Sequence, residues 1–182
     1  MIGLKIDKAS QIATKTGDKG DSGDYSGNRL SKSDRLFSVL GKIDEASSFI
    51  GLATHYVSNP DLVHIQTDLQ AIMTLVATDP DDPKRKELTP NKTEDSAWLE
   101  SCMDNLLAKY PVEPMFFLPG SDTSLGGAYL DMARAITRSA ERELVAFIRE
   151  KHRHDLCQSL TYLNRLSDLL FVYVRTEAQK LG

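Results

Sequence analysis

The sequence predicts an all-α protein folded as a helical bundle. Three observations carry this. Five long stretches repeat apolar residues at i, i+3, i+4 and i+7. Connections rich in Pro, Gly, Asp and Ser separate them. There is no strand-rich region, no internal repeat and no heptad run long enough for a coiled coil. Amphipathic helices with short connections bury their apolar stripes against one another. The 182 residues suffice for one domain with a sizeable core, so 1–182 reads as a single unit with a glycine-rich loop (1–33) ahead of a bundle (34–182).

Residues 14–35 are rich in Gly, Ser and Asp and almost free of aliphatic side chains, so they form a loop rather than a core element. Gly17, Gly20, Gly23 and Gly27 let its backbone approach a ligand or take positive φ. Its N–H groups can cradle phosphates, with Lys15, Lys19, Arg29 and Lys32 adding charge. No GxxxxGK[ST] is present, so this is not a Walker A loop.

Ser33 or Asp34 caps a first helix running to about His55, with Leu36, Val39, Leu40, Ile43, Ala46 and Ile50 as its apolar stripe. Phe37, Gly41, Asp44, Ser48 and Gly51 share another face, small enough for a neighbouring helix to come close. A break at Ser58-Asn59-Pro60 starts the second helix, Asp61 to about Thr78, whose core face is Leu62, Ile65, Leu69, Ile72, Met73 and Val76. Residues 79–86 read as a polar, mobile loop, and Thr93 caps a third helix to about Tyr110. Residues 111–120 form an extended connection carrying Phe116 and Phe117, one of which presented into a cavity would exclude water.

The fourth helix, about Leu125 to Arg149, organises the chain. At about 100° per residue, Tyr129, Met132, Ala133, Ile136, Ala140, Leu144 and Phe147 fall on one side. Arg134, Arg138, Glu141 and Arg142 gather on the other, three guanidiniums with one carboxylate among them. Such a stripe suits a polyanion, because guanidinium forks bind phosphate oxygens bidentately. The bland alternative is a solvated face laced with ion pairs. The fifth helix, Asp155 to about Lys180, turns Leu160, Leu163, Leu166, Leu170 and Val174 to the core and Asn164, Asp168, Phe171 and Arg175 the opposite way.

A formal net charge of −4 argues against non-specific nucleic-acid binding and a polybasic membrane surface. No 18-residue apolar run exists, and the first residues are too charged for a signal sequence. Cys102 and Cys157 show neither CxxC nor zinc spacing and read as core filling, and His55 and His64 lack metal-ligand spacing and read as structural. Together these predict a reduced, cytoplasmic setting.

Three blocks in this order resemble the ATP:cob(I)alamin adenosyltransferases of the propanediol-utilisation (PduO) type. The first is Thr14-Lys-Thr-Gly-Asp-Lys-Gly with Ser22, Gly27, Arg29 and Lys32, followed by Gly41-Lys-Ile-Asp44-Glu45. The second is Phe117-Leu-Pro-Gly120 leading to Ala133-Arg134 and Arg138-Ser-Ala-Glu141-Arg142, and the third is Asn164-Arg-Leu-Ser-Asp168-Leu-Leu-Phe171.

The resemblance implies a five-helix bundle, four long antiparallel helices plus a shorter one, assembled as a homotrimer with ATP between subunits. It places Thr14, Thr16, Gly17, Asp18, Lys19, Ser22 and Lys32 at the triphosphate, with Arg138, Glu141, Arg142 and Asn164 also holding ATP. Asp44 would pair with Arg134 of the adjacent subunit, and Phe116, with Phe117 as its rival, would contact cobalamin as an aromatic wedge. Arg134, Arg138, Asp44 and Phe116 are thereby the expected catalytic residues. The implied reaction transfers the 5′-deoxyadenosyl group of ATP to cobalt, releasing triphosphate, with Mg²⁺ travelling on ATP. A flavoprotein reductase, an adenosylcobalamin-dependent enzyme and a bacterial microcompartment are the implied surroundings. The chain departs from the family pattern at Ala46-Ser47, Ser121, Asp131 and Ser139, and its loop is acidic at Asp18, Asp21 and Asp24. The alternative is a non-catalytic relative that binds ATP or adenosylcobalamin as a carrier or sensor.

Overall fold

The computed structural model describes residues 6–89 and 92–180. The first five residues, on which part of the N-terminal reading rests, lie outside them. Among the described residues five α-helices form the bundle: α1 (Arg35–Ala53), α2 (Asp61–Val76), α3 (Thr93–Lys109), α4 (Leu125–Lys151) and α5 (Cys157–Gln179). They are joined by a two-stranded hairpin, β1 (Asp21–Gly23) and β2 (Arg29–Ser31), that precedes α1. The most extensive packing is α1 on α4 and α4 on α5, with α3 against α5 and α2 against α1.

Helix starts follow capping chemistry. Asp34 Oδ1 accepts the Leu36 N–H at 2.9 Å, and Ser124 Oγ accepts the Gly127 N–H at 3.0 Å. Thr93, expected to cap α3, is instead its first helical residue; Lys92 precedes it and donates its N–H to Asp95 Oδ2 at 2.8 Å. At the other end of α4 the chain turns at His152, whose φ of 54° is left-handed.

The core of α4 differs from the expected stripe. Its buried line is Leu130, Ala133, Thr137, Ala140, Leu144 and Phe147, alternating by three and four residues. This is a narrow seam, tighter than the expected stripe, and α1 and α5 are the helices that pack on α4. Met132 falls outside that seam and is exposed, beside a part-buried Ile136. Gly126 lets α4 start hard against the end of α1: a Cβ there would lie 2.5 Å from Val57 Cγ2 and 2.9 Å from Tyr56 Cβ. Along α5, two tyrosine hydroxyls tie α2 antiparallel to it, Tyr162 to Asp68 Oδ2 at 2.7 Å and Tyr173 to Asp61 Oδ2 at 2.9 Å. Burial, reinforced by those carboxylates, pushes both phenols far up. Cys102 is part-buried and its thiol is raised by burial, but Cys157 is exposed at the first turn of α5 and fills no core. Both His55 and His64 are exposed, and His64 sets its ring edgewise on Trp98 at 4.5 Å.

Residues 79–86, read from the sequence as a mobile loop, are tied back to the bundle by hydrogen bonds. A short 3₁₀ turn, Pro83–Glu87, forms there, and its Arg85 donates to the Leu75 carbonyl at 2.7 Å and to Asp155. Arg153 is buried; it holds Asp155 through Nε at 2.9 Å and Nη2 at 3.0 Å, and also donates to the Leu75 carbonyl at 3.0 Å. Burial raises the Asp155 carboxyl, but the hydrogen bonds and charge of Arg153, with Arg85, more than offset it and leave it below the usual range. A depressed carboxylate stabilises the fold above its unfolded pKa, about 4, and that contribution is lost as pH falls through the lower folded value. Asp155→Asn is therefore expected to cost about 2 kcal/mol at neutral pH, a value discounted for the partly exposed carboxylate. Thermal melts from pH 7 to pH 2 check this, because the variant should lose less stability below about pH 4 than the parent does.

Candidate functional site

The site is built from the hairpin segment, the outer face of α4, the middle of α5 and the connection before α4. Within residues 14–35, expected to be a loop, 21–31 fold as a hairpin with Asp21 opposite Ser31 and Gly23 opposite Arg29. The short alternation Ser22, Leu30 turned inward was too brief to read as strand. Asp24 closes the turn: its Oδ1 accepts the Asn28 N–H at 2.7 Å, and Gly27 takes φ 92°.

The leading segment folds back onto this hairpin. Arg29 Nη2 donates to the Thr16 carbonyl at 2.6 Å, and Thr14 Oγ1 and Thr16 Oγ1 share a hydrogen bond at 3.0 Å. The Lys32 N–H donates to the Gly20 carbonyl at 2.7 Å, and the Lys32 ammonium lies where a Gly17 Cβ would come within 3.0 Å of it. Thr14, Thr16, Gly17 and Lys32 are thus brought together, with Asp18 and Lys19 exposed and Ser22 half-buried beside them. The hairpin tip is held from below. The Tyr25 N–H donates to the Ala77 carbonyl at 2.8 Å, the Asp79 N–H to Ser26 Oγ at 2.8 Å, and Lys84 Nζ to the Tyr25 carbonyl at 3.0 Å.

On α4, Arg134, Arg138 and Arg142 stand on successive turns. Arg134 Nε is paired with Asp131 Oδ1 at 2.7 Å, and Arg142 Nη2 donates to Ser139 Oγ at 2.9 Å. Arg138 is exposed and has no partner among the described residues. Asn164 Nδ2 donates to Glu141 Oε1 at 3.0 Å, joining α5 to this face. Its Oδ1 accepts Arg165 Nη1 at 2.6 Å, which fixes which way the amide points. The face presents guanidinium donors around one carboxylate whose second oxygen stays open, an arrangement suited to phosphate oxygens and a hydroxyl.

No hydrogen bond or ion pair joins the hairpin to Arg138, Glu141, Arg142 or Asn164 among the described residues. Asp44 is exposed on α1 and lines an open hollow of about 500 Å³ with Phe37, Gly41 and Met73. A Cβ at Gly41 would meet nothing within 4 Å. Leu52 and Tyr56 of the α1 end, with Leu125 and Met132 of α4, are exposed apolar side chains.

The connection before α4 separates the two phenylalanines. Phe116 is wholly exposed. Phe117 is part-buried, 6.2 Å from the Phe171 ring and 4.0 Å from the guanidinium carbon of Arg175. Arg175, expected on the polar stripe of α5, is buried, because the ring arriving from the connection covers it. Both phenylalanines line a hollow of about 350 Å³ with Asp131 and Arg134. Sequence reasoning missed Arg175, Arg165 and the Asp131 partner of Arg134. Only the last left a signal, its i, i+3 spacing.

Among the described residues no helix is long and apolar enough to cross a membrane, and no cluster of three or more His, Cys, Asp or Glu is placed to hold a metal ion.

Comparison with known proteins places these features among relatives. The family model for cobalamin adenosyltransferase matches residues 12–177. The corrinoid adenosyltransferase of Bacillus subtilis is 35% identical over 182 residues, 94% of this chain and 89% of the relative. The corrinoid adenosyltransferase MMAB of Bos taurus is 34% identical over 187 residues, 98% of this chain and 76% of the relative. A variant of a PduO-type ATP:corrinoid adenosyltransferase from Lactobacillus reuteri, solved in complex with cobalamin and ATP, superposes with a TM-score of 0.82 at 30% identity, over 92% of this chain and 93% of that one.

Proposed function

The chain belongs to the cobalamin adenosyltransferase family, and from that premise we propose that it transfers the 5′-deoxyadenosyl group of ATP to the cobalt of cob(I)alamin, releasing triphosphate. The observation that carries the reading is the α4 face. Three arginines stand on successive turns, and among the described residues only Arg134 has a carboxylate partner and Arg138 has no partner. Three arginines with two carboxylates, Asp131 and Glu141, leave this face a net positive charge that a bound anion would offset.

The nucleophile is the cobalt of the substrate, so the protein's task is to position ATP and to stabilise charge. Negative charge grows on the leaving triphosphate as the C5′–O bond breaks. Arg138 and Arg142 from α4 and Lys32 from the hairpin meet that charge, and Thr14, Thr16, Gly17, Asp18, Lys19 and Ser22 line the strand that covers it. Asn164 and Glu141 hold the nucleoside end as one hydrogen-bonded unit. Mg²⁺ arrives held by the phosphates and neutralises part of their charge. The solvated single carboxylates of Asp18 and Asp21 fit an ion bound that way. Phe116 meets the corrinoid, and its full exposure beside the held Phe117 supports it over its neighbour.

No hydrogen bond or ion pair joins the hairpin to the arginine face among the described residues, which supports a site completed by a second copy. A homotrimer does this if the hairpin of one subunit covers the α4 face of the next and Asp44 pairs with Arg134 across the seam. The exposed Leu52, Tyr56, Leu125 and Met132 give that seam its apolar part. Asp44→Arg is then expected to weaken assembly by about 2 kcal/mol or more, because it sets like charges together. Analytical ultracentrifugation would show a shift to monomer with unchanged helicity. A reductant of flavoprotein type supplies the Co(I) state, and an adenosylcobalamin-dependent enzyme takes the product. The setting this chemistry needs is the reduced cytoplasm or a microcompartment within it.

Incubation with ATP, Mg²⁺ and chemically reduced cobalamin tests the reading, with the corrinoid spectrum and triphosphate release followed together. Conversion to adenosylcobalamin with equimolar triphosphate is the expected result. Tight binding of adenosylcobalamin without turnover would favour the carrier, and failure to bind either ligand would overturn both.

A further inference from the structure

Arg175 is a buried arginine, 5% exposed, that makes no ion pair among the described residues. Taking a guanidinium out of water without a carboxylate is costly, so its remaining contacts must be what keeps it there. It has two. Its guanidinium carbon lies 4.0 Å from the centroid of the Phe117 ring, within cation–π range, and Nη2 donates to the Asp122 carbonyl at 3.3 Å. Both belong to the connection that precedes α4.

That connection needs holding. Gly120 has φ 74°, and Asp122 has φ 51°, a left-handed conformation that a non-glycine residue adopts at some cost. The strained residue is the one whose carbonyl Arg175 engages. Thr123 Oγ1 extends the seam by donating to the Val174 carbonyl at 3.2 Å. Phe117 is also backed by the Phe171 ring at 6.2 Å. Phe116 is joined directly to Phe117, so holding the Phe117 ring inward restricts where Phe116 can point. Phe116 is indeed wholly exposed, at the rim of the hollow it shares with Arg134.

We propose that Arg175 is a positioning residue: by clamping Phe117 and the turn through Asp122 to α5, it sets the direction of Phe116 and the mouth of the hollow beside it. The inference rests on the reading that this hollow, whose wall includes Arg175 itself, receives the corrinoid, and it adds a residue that governs that binding by holding the hollow's shape. Arginine suits the role because its planar head stacks on a ring while its edge still donates to a carbonyl, which the point charge of lysine does not do.

The test uses the full chain in its native assembly, with Arg175→Met, which keeps the stem volume, Arg175→Lys, and Phe117→Leu, which removes the ring but leaves the guanidinium. Amide hydrogen exchange over 115–123 is read first, then KM for chemically reduced cob(I)alamin and for ATP. All three variants should exchange about tenfold faster in that segment. KM for cob(I)alamin should rise about tenfold and KM for ATP by less than about twofold, since only the corrinoid pays for the loop-ordered fraction. Unchanged exchange in Arg175→Met and Phe117→Leu would overturn the clamp. Faster exchange with an unchanged KM for cob(I)alamin would overturn its link to substrate. Loss of cooperative folding in both would make Arg175 a core residue only. If the parent protein itself binds no corrinoid, the functional reading fails while the exchange result still decides the clamp.

Discussion

Arg138→Ala is expected to lower adenosyl transfer by about 10² to 10³-fold, the usual cost of removing one donor aimed at developing charge. The fold should hardly notice. Arg138 is exposed, touches no carboxylate among the described residues and sits mid-helix, where alanine is the best helix former. A surface change of this kind stays within about 0.5 kcal/mol, or roughly 2 °C in melting temperature for a chain of this size. Arg138→Lys should recover only part of the rate, because a lysine keeps the charge and loses the fork that meets two phosphate oxygens at once. Steady-state assays with pre-reduced cobalamin, beside thermal melts of each variant, check both halves. A normal rate in Arg138→Ala would remove the phosphate role from the centre of the α4 face.

Phe116→Ala should separate two routes to the same product. The ring is wholly exposed, so its loss leaves no cavity and costs the fold little. Its expected work is on the corrinoid, where a large apolar ring at the mouth of a 350 Å³ hollow keeps water and the lower ligand away from cobalt. Reaction starting from cob(II)alamin plus reductant should therefore fall at least about tenfold further than reaction starting from cob(I)alamin, where reduction is already complete, a difference of about 1.4 kcal/mol. Equal losses by both routes would argue that the ring only binds. Phe117 is not an equivalent position, since its ring is held between Arg175 and Phe171.

Much of this was legible from residue order because it is local. Asp34, one of the two expected caps, begins α1, and Arg134, Arg138 and Arg142 share a face by helical geometry alone. What escaped depends on partners distant in sequence. Arg175 reads as one more polar residue on α5 until Phe117 covers it, and no spacing rule links the two. Met132 reads as core because the periodicity of α4 alone does not show how narrow its buried seam is. Cys157 reads as core by residue type, yet it stands at the exposed start of α5. The hairpin escaped because its strands span three residues each, below the length at which alternation is visible.

The grip of the bundle on Tyr25 and Ser26 changes how the glycine strap works. A cover fastened at its apex behaves as a taut strap and not as a hinged door. The turn through Gly27 loses its conformational entropy when the chain folds, so in the proposed reading the nucleotide meets a turn that is already ordered. Most of the glycines can thus serve backbone geometry without weakening the hold on a small, highly charged ligand.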